Sequence, residues 1–407
     1  MRPLPSIDDR MFPANTREAI VLFWVKYWGW FFLLLPWMLF RQIFVSAHQF
    51  LGALWTWNRQ VSLLDGSLRL IFMNNVPSLA VTTIFGERFT AIQYQDVLID
   101  PGPVFGQHRL ERYLDETGAD IHAVVATHAH EEHIGNTALA ARRACAPVYG
   151  TAVTVEAIRR PAELSYARRV FIGQPKAIDS VELRQLADVL QTEKVRLHVV
   201  ESPGHCDGHA SLFDSEHGIL FAGDSFLHTV FTAPNEDVSG DDWIGTLEHY
   251  GKWTISTMVG THGYVYTVDR SIPVLPFVIK RADPNQMIRE KCEFLKWARA
   301  VVAEGERRCL PYSVIEACLF PWQRWWSWHT WFTDESGRLF SAGEFSRTYF
   351  VRSLSRTPER VPARFQPFAR LVDWIGRKMK RLKHRGAGSN SPIETDAKRR
   401  RNSSAPR

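Results

Sequence analysis

Thr127-His128-Ala129-His130-Glu131-Glu132-His133-Ile134-Gly135 follows the apolar run Ala123 to Ala126, which has the length and flanks of a short β-strand. Three imidazoles and a carboxylate thus stand at a strand exit. Alternate residues of an extended segment face the same way, so His128, His130 and Glu132 are expected to point together, with His133 opening the turn into a helix. Imidazole and carboxylate suit zinc, iron or manganese, and an open position beside such a metal turns water into hydroxide near neutral pH. The stretch therefore predicts metal-assisted hydrolysis.

Four further segments repeat the plan of a strand followed by a polar residue. Val97-Leu98-Ile99-Asp100-Pro101-Gly102 ends a short strand in Asp100, placed to accept the second ring N–H of a ligating histidine. Ser202-Pro203-Gly204-His205 follows the run Val195 to Val200, Leu220-Phe221-Ala222-Gly223 leads into Asp224, and Val259-Gly260-Thr261 leads into His262. A glycine beside each site lets the backbone turn sharply, so that residues from different strands converge. In His205-Cys206-Asp207-Gly208-His209 the turn at Gly208 aims His209 back under the site, as support or as packing. Cys206 is read as packing, because neighbours in a strand or turn point apart. His122, His198, His217 and His249 lack partners at ligand spacing and read as surface or core histidines.

Over about residues 76 to 268 the chain resembles the metallo-β-lactamase-fold hydrolase superfamily, with a motif set similar to that of the glyoxalase II type. All five motifs stand in the family's order, 72 residues separating His133 from His205, 19 more reaching Asp224 and 38 more His262. The resemblance implies an α/β fold, a four-layer αβ/βα sandwich. It implies that His128, His130 and His205 hold one divalent metal ion, that Glu132, His133 and His262 hold a second, and that Asp224 bridges both. The ions are expected to be zinc, with iron or manganese as alternatives. Glu132 stands where the family usually has Asp, and its longer arm must fold back or push the second ion outward. With Asp224 or Glu132 handling the proton, a metal-bridged hydroxide is expected to cleave an ester, thioester, lactone or phosphoester. A mono-iron oxygenase of the persulfide dioxygenase type, using the first ion alone, and a non-catalytic membrane-associated adaptor are the other readings.

At 407 residues the chain is longer than one such domain needs. The expected division is an apolar Trp-rich segment over 1–60, the catalytic domain over 61–270, a helical aromatic-rich extension over 271–385 and a disordered basic tail over 386–407. From Ile20 to Phe40 the sequence holds four tryptophans and one charge, Lys26. Pro36 within it and the spread of its tryptophans favour a helix lying in the membrane interface over one that crosses. A buried hairpin and a cleaved leader ending near Ala47 are the alternatives. Helical periodicity resumes after Asp283-Pro284 over about 284–303, with Met287, Ile288, Phe294, Leu295 and Ala298 on the apolar side. Five tryptophans between Pro321 and Phe332 read as a lid over the site, a second membrane patch or an aromatic core.

The net charge of +6 sits mainly at the C-terminal end, where Arg370 to Arg385 holds seven Lys/Arg and one Asp. Nucleic acid as a partner is excluded, since no basic surface adjoins the histidine motifs. A basic stretch carrying Leu371, Trp374 and Ile375 suits anionic lipid. Together with the N-terminal segment it predicts attachment to the cytoplasmic side of a membrane and a small-molecule or lipid-like substrate, a soluble cytoplasmic protein being the alternative. Five scattered cysteines with no C-x-x-C pair fit a reducing compartment.

Overall fold

The computed structural model describes residues 4–118, 120–178, 181–230, 235–335, 338 and 345–355. Two seven-stranded sheets form its centre. The first runs in sequence order through β1 (Gln60–Leu63), β2 (Leu68–Met73), β3 (Phe89–Tyr94), β4 (Val97–Ile99), β5 (Ala123–Val125), β6 (Val148–Gly150) and β7 (Leu183–Gln185). The second comprises β8 (Val189–Gln191), β9 (Arg196–Glu201), β10 (Ala210–Asp214), β11 (Ile219–Gly223), β12 (Thr257–Gly260), β13 (Tyr264–Thr267) and β14 (Ile279–Arg281), again in order.

The period of two along each strand decides what lies between the sheets and what lies outside. Leu70 and Phe72 face Leu212, Phe221 and Val259 in the central core, while their neighbours Ile71 and Met73 face the opposite way. In β11 the same alternation sends Phe221 inward and Leu220 and Ala222 outward. Tyr94 donates to Asp214 across the core at 2.6 Å, tying the two sheets together. Helices cover both outer faces. Against the first sheet lie α3 (Gln107–Thr117), α5 (Thr137–Ala144) and α6 (Ala152–Arg159), reached after α1 (Arg17–Trp55), α2 (Val76–Phe85) and the one-turn α4 (Glu131–Ile134). After α7 (Tyr166–Phe171), the helices α8 (Gly240–Tyr250), α9 (Pro284–Arg307) and α10 (Tyr312–Leu319) cover the second sheet. This is the four-layer αβ/βα sandwich, with a long helix before it and helices after it.

The predicted helix after Asp283 extends to Arg307, capped by the Asp283 carboxylate on the Asn285 N–H. Its apolar side also buries Lys291 completely. The ammonium lies 4.1 Å from the Trp243 ring centroid and donates to the His228 carbonyl at 3.0 Å, which lowers the cost of burying it.

The N-terminal helix extends beyond the apolar segment expected over Ile20 to Phe40. It is a single helix of 39 residues that continues through Pro36 to Trp55. A proline inside a helix costs about 3 kcal/mol, and here packing on both sides of it opposes the break. Phe23, Trp24, Tyr27, Phe31, Leu34 and Met38 form one stripe against Ala317, Trp322, Trp328 and Trp331. The Trp-rich stretch is therefore chiefly the cradle of α1, not a membrane patch. The rest of α1 carries bare apolar side chains, among them Val25, Phe32, Leu33, Trp37, Ile43 and Phe44, with Leu33 68% and Ile43 67% exposed. Among the described residues it is the one helix long and apolar enough to cross a membrane. The basic stretch 370–385 and the tail 386–407 lie outside the described residues.

Candidate metal centre

β5 ends at Val125, and Thr127 to His130 leave it as an irregular segment capping α4. The extended alternation expected through Glu132 thus stops at His130, because Glu131–Ile134 turns into helix. Glu132 and His133 reach the site from that helical turn instead. His205 enters beyond β9, Asp224 follows β11 and His262 follows β12. Two glycines are required by this geometry. Gly204 has φ +131° and a Cβ there would sit 2.4 Å from the Trp243 Cα, while Gly223 has φ +53° and its Cβ would meet His209 Nε2 at 2.5 Å.

The imidazoles converge with their outer nitrogens anchored. His128 Nδ1 lies 2.9 Å from Thr127 Oγ1, His133 Nδ1 lies 3.2 Å from Asp100 Oδ2, and His262 Nδ1 lies 3.0 Å from the Arg88 carbonyl. Thr127 in turn donates through N–H and hydroxyl to the Asp100 carboxylate, at 2.8 and 2.7 Å. Each ring therefore presents Nε2 to the centre. There Asp224 Oδ2 lies 3.1 Å from His262, 3.5 Å from His133, 3.6 Å from His205 and 3.9 Å from His128, measured to Nε2. His130 joins through Nδ1, 3.0 Å from His128 Nε2 and 3.2 Å from His205 Nε2. Donor atoms of Glu132, His133 and His262 form a second group within 4.8 Å of one another. His209 accepts the Asp224 N–H at 3.0 Å and is tied to Ser202 Oγ at 2.8 Å, while Thr261 donates to Asp224 Oδ1 at 2.5 Å.

The electrostatics divide the site. Burial drives His205 down to about 3 and His128 and His130 well below the usual histidine range, so these rings are neutral and offer lone pairs. Burial also opposes charge on His262, but the Asp224 carboxylate outweighs it and lifts that ring to about 9; Asp224 and Asp100 raise His133 likewise. Asp224 itself is held well below the carboxylate range, burial being outweighed by His262 and His133. Burial, reinforced by Glu131, pushes Glu132 up to about 7. Glu132 Oε2 and His133 Nε2 are buried without a hydrogen-bond partner among the described residues. Orphaned donor atoms facing shared carboxylate oxygen fit two adjacent divalent cations.

The residues expected to hold metal lie together in this cluster, with Asp100 beside His133 and His209 beside Asp224. Cys206 lies nearer than expected, its sulfur within 4.8 Å of donor atoms of His128, His130 and His205. His122 stands apart, paired with Asp120 and Asp96. Three other features carry no signal in the sequence. Glu87 lines the adjoining cavity, and the Arg88 carbonyl orients His262. Arg168 pairs with Glu131 inside the histidine motif itself, at 2.6 Å from Nη2. An acidic residue followed 37 positions later by a basic one has no local signature. The cavity, about 140 Å³, opens on His130, Glu132, His205, Asp224 and His262, and its far walls are Ala80, Val81, Ile84 and Phe85 of α2 with Phe171, Ile172 and Leu227. Thr333 and Asp334 close one edge, so the segment after the tryptophans does border the site.

The family model described as "Metallo-beta-lactamase superfamily" matches residues 95–262. Among solved structures, a beta-lactamase domain protein from Burkholderia ambifaria is 14% identical, with a TM-score of 0.46 over 73% of this chain and 88% of its own. A metallo-beta-lactamase family protein from Thermus thermophilus is 20% identical, with a TM-score of 0.39 over 69% of this chain and 91% of its own. The protein TTHA1623, solved in a di-iron-bound form, is 21% identical, with a TM-score of 0.37 over 53% of this chain and 100% of its own.

Proposed function

Since the chain belongs to the metallo-beta-lactamase superfamily through residues 95–262, we propose that it is a metal-dependent hydrolase of an apolar acyl ester or thioester, working at a membrane surface. The observation that carries this reading is Asp224 Oδ2, ringed by four imidazole nitrogens at 3.1–3.9 Å at the mouth of an apolar cavity. His128, His130 and His205 would hold one divalent cation and Glu132, His133 and His262 the other, with Asp224 shared. When bound, such ions supply Lewis acidity and lower the pKa of water towards neutrality. Asp100, Thr127 and the Arg88 carbonyl fix the tautomers of the rings, so each Nε2 keeps its lone pair inward. Asp224 stays ionised, whereas Glu132, poised near neutrality before a cation arrives, would release a proton from Oε2 as that ion binds and recover it as the ion leaves. The α2 wall would hold the acyl chain and keep bulk water out. Water adds across the acyl–oxygen or acyl–sulfur bond, giving a carboxylic acid and an alcohol or thiol.

The exposed face of α1 supports attachment to lipid, because an apolar surface of that extent needs cover. Positive residues at both termini favour the cytoplasmic side. The test is a panel of ester, thioester, lactone and phosphodiester substrates presented to the full-length protein in detergent, with metals quantified. Hydrolysis that rises with acyl length and two ions per chain are expected. One iron per chain with oxygen uptake would replace this reading with the oxygenase, and inactivity across the panel with both ions bound would remove it.

A further inference from the structure

We infer that α1 is a structural part of the second half of the metal centre, its residues Gln49 and Gly52 clamping the loop 86–88 whose Arg88 carbonyl holds His262. The inference rests on the two-ion reading above. His262 is almost fully buried, and its Nδ1–H donates to the Arg88 carbonyl at 3.0 Å, which selects the nitrogen that faces Asp224. That carbonyl belongs to a short loop that begins at Gly86, where α2 ends in a left-handed turn with φ +79°. On one side Tyr264 donates its hydroxyl to the Gly86 carbonyl at 2.6 Å. On the other side stands α1. A Cβ at Gly86 would come within 2.6 Å of Gln49 Nε2, and a Cβ at Gly52 within 2.6 Å of Arg88 Nη2 and 3.0 Å of the Phe277 ring.

Arg88 has little freedom to yield. It is 3% exposed, its guanidinium lies 5.1 Å from the Tyr264 ring centroid, and its Nε and Nη1 are buried without hydrogen-bond partners among the described residues. Packing therefore fixes this side chain, and α1 supplies one wall of that packing. Gly52 and Ala53 are buried in the last turns of α1, whereas Leu51 and Leu54 beside them are exposed. One helix thus turns an apolar face outward and a small-residue face onto the loop. The other half of the centre is built differently. His128 and His130 leave β5 and His205 leaves β9, and among the described residues none of the three is bonded to the loop 86–88. Displacing α1 should accordingly loosen one ion and spare the other, so the anchor also sets how many ions the centre holds.

The experiment uses the full-length protein in detergent, stripped of metal and titrated with Co²⁺, with visible absorption and elemental stoichiometry as readouts. Gly52→Leu places bulk against Arg88 while favouring helix over glycine. Gly29→Leu makes the same exchange on the same helix where nothing lies within 4 Å of the added carbon. The wild type and Gly29→Leu are expected to take up two equivalents alike. Gly52→Leu should bind the first with unchanged affinity and the second at least tenfold more weakly. Two equivalents bound by Gly52→Leu as in the wild type overturn the inference and leave the two-ion reading standing. A single equivalent in the wild type overturns both. Should Gly52→Leu weaken both ions together, Gly52→Ala decides: a second ion weakened at least threefold with the first unchanged supports the clamp, and any other result overturns it.

Discussion

Asp100 and His133 are joined at 3.2 Å between Oδ2 and Nδ1, and the same carboxylate holds Thr127, the residue before His128. One buried carboxylate thus orients ring nitrogens in both halves of the centre, directly at His133 and through Thr127 at His128. Asp100→Asn presents an amide N–H to a ring N–H and is expected to lower turnover and metal affinity by about 10–100-fold. Metal titration beside kcat checks it, and unchanged affinity for both ions would remove the orienting role.

Asp224→Ala takes away the oxygen that four imidazoles share. Turnover should vanish and metal content should fall. His122→Ala, which breaks pairs with Asp120, Asp96 and Glu193 and touches none of the clustered histidines, should change neither. Elemental analysis of the two variants side by side is the check, and like behaviour would refute the ligand assignment.

The two halves should part company as pH falls. A proton must leave Glu132, at about 7, and His262, at about 9, before either can donate to a cation, whereas His205 has lost its proton far below neutrality at about 3. Metal binding therefore releases protons mainly at the Glu132–His133–His262 half. Acidification from about pH 8 to about pH 6 favours the protonated forms there, so that ion should leave first while the other stays bound. Stoichiometry after dialysis across this range reads the order directly, and simultaneous loss would contradict it.

Phe32, Leu33 and Ile43 lie on the outer face of α1, each about two-thirds exposed, and take no part in its seat on the tryptophans. The combined change Phe32→Glu, Leu33→Glu and Ile43→Glu should leave the fold and its thermal transition intact yet release the protein from vesicles. Each charge placed in the apolar layer costs a few kcal/mol. Retention of the triple variant in the pellet after a high-salt wash would point to another anchor.

Trp322 lies beneath α1 against Tyr27, Trp28 and Phe31 and is 1% exposed. Trp322→Ala should destabilise the protein by about 3–5 kcal/mol, the usual cost of emptying a large aromatic site. Denaturant unfolding in detergent measures it, and a loss below about 1 kcal/mol would show that α1 is seated elsewhere.

The sandwich was legible through the family resemblance that the strand-exit motifs carry, and the residues of the centre through their local pattern. Short apolar runs marked β4, β5, β9, β11 and β12, and a polar residue beside a glycine marked each strand exit. What escaped was set by contacts distant in sequence. Arg88 reaches His262 through its backbone carbonyl, which every residue type possesses, so no side-chain pattern announces it. Glu132 was expected on a strand and stands on a helical turn, because α4 begins at Glu131, two residues before the expected turn at His133. The apolar segment read over Ile20 to Phe40 is part of a helix that runs on to Trp55, and Leu34 and Met38 on either side of Pro36 pack on the tryptophan-rich stretch. Neither stretch alone shows that they are partners.

The pairing of α1 with its cradle also dictates an order of events during synthesis. Phe31 leaves the ribosome 291 residues before Trp322, the ring it lies against at 4.9 Å. At 5–20 residues per second that interval is on the order of 15–60 s. Through all of it the inner stripe of α1 is as bare as its outer face, and the whole circumference of the helix needs an apolar host. On the proposed membrane attachment, lipid is that host, so α1 is expected to reach the bilayer before the sandwich exists and to exchange lipid for tryptophan along one side only once Trp322 has been made.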